Sequence, residues 1–175
     1  VTSALAAKIR PVQAGDLPVV WALAALPNVV TTADPSVPFP LPGAAEPPAG
    51  FPDLADPIGN FACLGGRFLV AGVDGGIVAM GAYRPAAGRP GRAQVVRVRV
   101  HPALRRRGLG RQVITAIEAD AVGRGFGEAW LETATNQPEA MAFYERVGYC
   151  QVGTEWRANW TWTLVSYRKD LPPGR

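Results

Sequence analysis

The spacing of hydrophobic positions changes several times along the chain, and each change predicts an element. Residues 7–12 are a short, apolar-leaning run that predicts a first strand. Asp16 stands where an N-cap would, with Pro18 in the first turn. Leu17, Val20, Trp21, Leu23, Ala24 and Leu26 then supply a mostly apolar helix, which Pro27 and Asn28 end. From 28 to 60 no period is visible. Pro35, Pro38, Pro40, Pro42, Pro47, Pro48, Pro52 and Pro57 interrupt helices and central strands, and only a short helical turn around 52–56 is expected. Loops of this length are functional lids or disordered connectors, and both readings stay open for this one.

Regular patterning resumes at Phe68–Val73. The tight turn Asp74-Gly75-Gly76 and the return strand Ile77–Tyr83 complete a predicted hairpin. A loop over Pro85–Gly91 leads to an alternating strand at 94–100. Leu109, Val113, Ile114, Ile117 and Ala121 then recur at helical spacing, predicting a helix from Gly108 to Val122 that Gly123 and Gly125 end. Ala129–Ala134 predicts a strand. Pro138 opens a helix that carries Ala140, Met141, Phe143, Tyr144 and Val147 and stops at Gly148. Two strands, at about 150–156 and 160–168, close the chain, the second because Trp160, Trp162 and Leu164 alternate with Thr161, Thr163 and Val165. This order predicts a mixed α/β sheet with helices on its faces, in a single domain over residues 1–175.

Composition narrows the chemistry. Hydrophobic content of 48% and charged content of 18% are those of a globular chain. The net charge is +4, and nearly all the basic residues are arginine, which suits bidentate phosphate recognition. The abundance of Ala, Gly, Pro and Arg also fits a GC-rich genome, so the charge is weak evidence for a nucleic-acid partner, and none is expected. Cys63 and Cys150 lack metal-ligand spacing and read as small buried hydrophobes. His101 is the only histidine, no Gly-x-Ser-x-Gly accompanies it, and no metal is expected. No run spans a bilayer and no leader pattern opens the sequence, so a cytoplasmic protein without membrane contact is the expectation.

The most informative stretch is 94–111, an alternating strand that passes a proline, turns through arginines and glycines and opens a helix. Unpaired N–H groups and the helix dipole make such a turn an anion site. Arg105-Arg106-Arg107-Gly108-Leu109-Gly110 matches the (Gln/Arg)-x-x-Gly-x-(Gly/Ala) motif of the GNAT family of N-acetyltransferases. Val98–Pro102 looks like that family's fourth strand. Gln137–Tyr149, with its Phe-Tyr-Glu-x-x-Gly-Tyr ending, resembles its later helix, and Ser166–Leu171 is similar to its last strand. The resemblance covers nearly the whole chain, strongly over 94–150 and weakly over 28–60.

The resemblance implies the acyl-CoA N-acyltransferase fold, a mixed, mostly antiparallel twisted sheet of about seven strands with helices on both faces. It implies acetyl-CoA as donor and the amine of a small molecule or peptide as acceptor. Gly108 and Gly110 would let the backbone approach the pyrophosphate, and N–H groups from Arg106 to Arg111, including that of Leu109, would cradle it. Arg105, Arg106, Arg107 and Arg111 offer charge-assisted bonds. Backbone groups of Val98, Arg99 and Val100 would hold the pantetheine arm between two splayed strands. Tyr144 matches the family's general acid.

Two positions depart from the family pattern. Gln94 stands where a glutamate is often found, so a general base would have to be Glu132, His101, Asp34, Asp53 or Asp56. The family's asparagine contact to the cofactor arm usually lies seven residues before the tyrosine, whereas Asn136 lies eight before Tyr144. A catalytically silent acyl-CoA-binding module is the alternative reading, carried by Gln94 alone. The 28–60 and 85–91 segments are expected to select the acceptor, and homodimers are common in the family.

Overall fold

The computed structural model describes residues 4–28 and 32–172. Its strands are β1 (Lys8–Pro11), β2 (Arg67–Val73), β3 (Gly76–Ala86), β4 (Arg89–Val100), β5 (Glu128–Ala134), β6 (Cys150–Glu155) and β7 (Leu164–Asp170). They form one sheet in the order β1-β2-β3-β4-β5-β7-β6. Every neighbouring pair is antiparallel except β4 and β5. Among the described residues four α-helices complete the fold: α1 (Leu17–Ala25), α2 (Pro57–Cys63), α3 (Leu109–Gly123) and α4 (Pro138–Arg146).

Two apolar clusters show how the helices cover the sheet. On one face Leu109, Val113, Ile114, Ile117 and Ala121 of α3 pack with Ala79, Tyr83, Ala93, Val95 and Leu131, and Met141, Phe143 and Tyr144 of α4 join them. These α3 residues are the ones that recur at helical spacing in the sequence. On the other face Val20, Leu23 and Ala24 of α1, with Leu54 and Phe61, cover Phe68, Val70, Met80 and Ala82. Gly81 lets α3 lie close to β3, since a Cβ there would come within 2.8 Å of Ile117 Cδ1 and 2.9 Å of Val113 Cγ1. The Asp74-Gly75 turn has φ of 48° and 80°, the left-handed pair that a two-residue hairpin requires.

Several expectations are corrected. Asp16 occupies the N-cap position of α1, but its carboxylate accepts from Arg10 at 2.7 and 2.8 Å and from Gln13 N at 2.8 Å. The 85–91 loop is the tip of a longer hairpin, because β3 runs to Ala86 and β4 starts at Arg89. Cys63 and Cys150 are exposed rather than buried. Trp160 and Trp162 lie before β7 and stack at 4.1 Å between ring centroids, so their alternation in sequence reflects a turn and not a strand.

The described residues of the 28–60 segment are tied to the rest of the fold. Trp21 Nε1 donates to Leu54 O at 2.7 Å, Ala44 N to Pro18 O at 2.8 Å and Asp34 N to Pro102 O at 3.0 Å. A 3-10 turn spans Pro52–Leu54 as the sequence suggests. Helix α2 was not expected, although Asp56 caps it by accepting from Gly59 N and Pro57 opens it.

Because Ile117 is fully buried where α3 meets the sheet, Ile117→Ala is expected to cost about 2–5 kcal/mol of stability, read as a lower denaturant midpoint with an unchanged m-value.

Candidate active site

Strands β4 and β5 run side by side over only three residue pairs, Arg92–Gln94 with Glu128–Trp130. Beyond them β4 continues to Val100 and β5 to Ala134 without pairing with each other. A bulge assists the parting. Val96 faces Ala82 and Arg99 faces Met80, so Arg97 and Val98 together oppose Gly81. Arg97 pays for the bulge with a φ of 59°, unusual for a residue with a side chain. Its guanidinium is held by both oxygens of Asp53 at 2.8 and 3.0 Å and lies 4.3 Å from the centroid of the Phe51 ring. The strands thus open a cleft of about 790 Å³, lined by residues 94–100 of β4, the turn before α3, Glu132 and Thr133 of β5, and α4.

The turn forms one end of the cleft. Arg106 and Gly108 adopt left-handed φ of 62° and 82°, and Gly108 is the N-cap of α3. No side chain caps this helix, so the N–H groups of its first turn are left for a ligand. Gly110 serves a different purpose from Gly108. A Cβ there would come within 3.2 Å of the Phe143 ring, so its small size lets α4 close on α3. Arg105, Arg106, Gly108, Leu109, Gly110 and Arg111 line the cleft. Arg107 does not, and its buried Nε has no hydrogen-bond partner.

Tyr144 comes from α4 and Glu132 from β5, and both line the same cleft. Burial pushes the Tyr144 phenol up to about 12, with nearby Arg99 opposing the shift, so the hydroxyl keeps its proton at neutral pH. Glu132 is raised from the usual carboxylate value, first by burial and then by Glu155, against Arg157 and a hydrogen bond from Ser166. Val98 O accepts from Nη1 of Arg99 at 3.0 Å, and Val100 O accepts from Arg105 Nε at 3.4 Å. Asn136 lines an adjoining hollow with Trp162 and Leu164 instead of the main cleft. Gln137, seven residues before Tyr144, lines the cleft and accepts from Asn28 Nδ2 at 3.1 Å. The family spacing could have singled out Gln137; nothing local could have found Asn28 or Arg97.

The remaining carboxylates and the histidine are occupied elsewhere. Asp53 is the ion-pair partner of Arg97, Asp56 caps α2, and Asp34 accepts from Ser36 N and Oγ. His101 is completely buried. Its Nδ1 accepts from Ala103 N at 3.2 Å, which makes Nε2 the protonated nitrogen that donates to Pro38 O at 3.0 Å. Gln94 Oε1 accepts from Arg84 Nε at 3.1 Å. Among the described residues of 28–60 Asn28 alone lines the cleft, and 85–91 contributes none. Among the described residues no group of His, Cys, Asp and Glu could hold a metal ion, and no helix is long and apolar enough to cross a membrane.

The model of the GNAT acetyltransferase family matches residues 38–149, and the chain belongs to this family. Solved structures agree in fold. A GNAT-family protein from Desulfovibrio desulfuricans is 19% identical with a TM-score of 0.74, over 95% of this chain and 100% of its own. A phosphinothricin acetyltransferase from Sinorhizobium meliloti, in complex with acetyl-CoA, is 14% identical with a TM-score of 0.73, over 97% and 91%. The ribosomal-protein-S18-alanine N-acetyltransferase from Escherichia coli is 14% identical with a TM-score of 0.67, over 97% of both chains. No curated protein is significantly similar in sequence.

His101 gives a direct test of this packing. Burial lowers its pKa from the usual histidine value, the bond to Pro38 opposes this, and Arg105 adds to it. A group depressed on folding destabilises the fold as pH drops below its unfolded value of about 6.5, because only the unfolded chain takes up the proton readily. As the sole histidine, its imidazole should give one set of NMR resonances that titrates below that value.

Proposed function

We propose that this protein transfers an acetyl group from acetyl-CoA to a primary amine of a small molecule or peptide, by direct attack with both substrates bound. The observation that carries this reading is the uncapped, doubly left-handed turn at the start of α3, opening into a cleft that also holds the protonated Tyr144 phenol. Acetyl-CoA supplies an activated thioester. The first-turn N–H groups of α3 and the side chains of Arg106 and Arg111 suit its pyrophosphate. The unpaired edge of β4 at Val98–Val100 suits the amides of its arm. Holding donor and acceptor in one cleft supplies much of the rate by proximity.

Two residues then manage protons. Glu132 accepts one from the incoming ammonium, and its raised pKa brings it nearer to neutrality for that task. Tyr144 gives its proton to the departing thiolate. An acyl-CoA-binding module without turnover rests on Gln94, which is engaged by Arg84 and carries no charge.

Release of free thiol from acetyl-CoA in the presence of amines tests the reading; saturable acetyl-CoA binding without thiol release on any amine class would favour the silent module. Tyr144→Phe is expected to lower kcat by about a hundredfold or more while acetyl-CoA affinity changes little. In the wild type, kcat/KM should rise with pH as Glu132 loses its proton, through a pKa above the ordinary carboxylate value. Glu132→Gln should remove that limb, and an unchanged profile would assign the base elsewhere.

A further inference from the structure

The cleft contains a charge that the acetyl donor does not account for. Arg99 stands on β4 at the divergence from β5 and lines the cleft. Its Nη1 donates to the carbonyl of its own neighbour Val98 at 3.0 Å. Its Nε is buried without a hydrogen-bond partner, and no carboxylate among the described residues forms an ion pair with it. Burial lowers its pKa from the usual arginine value; nearby Tyr144 opposes this, and Arg97 and Arg105 add to it. An uncompensated guanidinium in a partly dry site is costly unless a ligand completes it.

Arg97, two residues away, shows the contrast. It faces the same field, but Asp53 neutralises it with two hydrogen bonds. Among the described residues Arg99 has no such partner. Its direction also separates it from the phosphate turn. Val98 and Val100 pack against the cluster on the α3 face. Arg99 alternates with them and pairs with Met80, whose side chain belongs to the α1–α2 face. Arg99 therefore leaves β4 on the side away from α3, yet close enough to feel the Tyr144 phenol. That places its charge beside the reacting end of the cleft.

We propose that the acceptor amine carries its own anionic group, a carboxylate or a phosphate, and that Arg99 receives it. This rests on the acetyltransferase reading. A guanidinium offers the planar fork that both anions accept. The zwitterion is complementary to the cleft: its anion meets Arg99, and its ammonium meets Glu132 on the opposing strand. Arg99 thus becomes a specificity-determining residue, fixing which amine is presented to the thioester.

The test compares matched amines that differ in charge: L-phenylalanine with L-phenylalaninamide, L-methionine with L-methioninamide, and O-phosphoethanolamine with ethanolamine. Binding is measured calorimetrically on the full chain saturated with CoA, and kcat/KM by thiol release from acetyl-CoA. The anionic member of at least one pair is expected to bind and react about tenfold or more better, and which pair shows it separates carboxylate from phosphate. Arg99→Gln should collapse that ratio towards one, mainly through KM, and Arg99→Lys should retain part of it. Thermal melts of both variants check the fold. Equal or better binding of the neutral member in every pair, or a preference that survives in Arg99→Gln, would overturn the proposal. Thiol release without charge preference would leave the acetyltransferase reading standing. Absence of thiol release on every amine would count against that reading, while the binding comparison would still decide the role of Arg99.

Discussion

The early parting of β4 and β5 is the constraint on which the rest depends. Two parallel strands that stayed paired would satisfy each other's backbone groups and leave no cleft. Here they separate after three residue pairs. The bulge at Arg97 bends β4, and the unfavourable φ of that arginine is held by Asp53 and Phe51 from the segment before α2. A segment without regular structure along most of its length therefore has a structural task. It fixes the strand whose edge forms the cleft wall and adds Asn28 to that wall, while the sheet, the turn before α3 and α4 supply most of it.

The charges in the cleft follow from that arrangement. Ten residues of β4 and the following turn include Arg97, Arg99, Arg105 and Arg106, and the fold treats each differently. Arg97 is neutralised by Asp53, Arg105 donates to Val100 O, Arg106 approaches Glu139 at 3.7 Å on the surface, and Arg99 is half-buried without a carboxylate partner among the described residues. Arginine count and net charge say nothing of this division, because each depends on which carboxylates tertiary folding brings near. Tyr144 owes its raised proton affinity to burial, and Glu132 owes its own to partial desolvation and to Glu155 on β6, not to sequence neighbours.

Wherever one local signal was enough, the sequence could be read. The 3.6-residue recurrence of Leu109, Val113, Ile114, Ile117 and Ala121 is the buried stripe of α3. Asp74-Gly75 is a left-handed hairpin turn, and Gly108 is a left-handed N-cap. The Arg-x-x-Gly-x-Gly and Phe-Tyr-Glu motifs pointed to the family that the chain proves to belong to. Misreadings came where one local pattern serves two structures. Alternation at Trp160–Leu164 looks like a strand, yet the two indoles reach each other by stacking in a turn. Proline-rich sequence hid α2, because a proline that breaks a helix interior is also a favourable first residue.

The sequence by itself determined most of the elements, the glycine turn before α3 and the family, since capping, periodicity and left-handed glycine positions act between residues close along the chain. Tertiary structure alone decided what lines the cleft and with what charge. The Arg97–Asp53 pair joins residues 44 apart, and Asn28 meets Gln137 across 109. It also showed that the glycines of the turn at 94–111 do different work, Gly108 setting the backbone and Gly110 making room for Phe143. Such contacts depend on how the sheet and helices pack, and no local pattern encodes them.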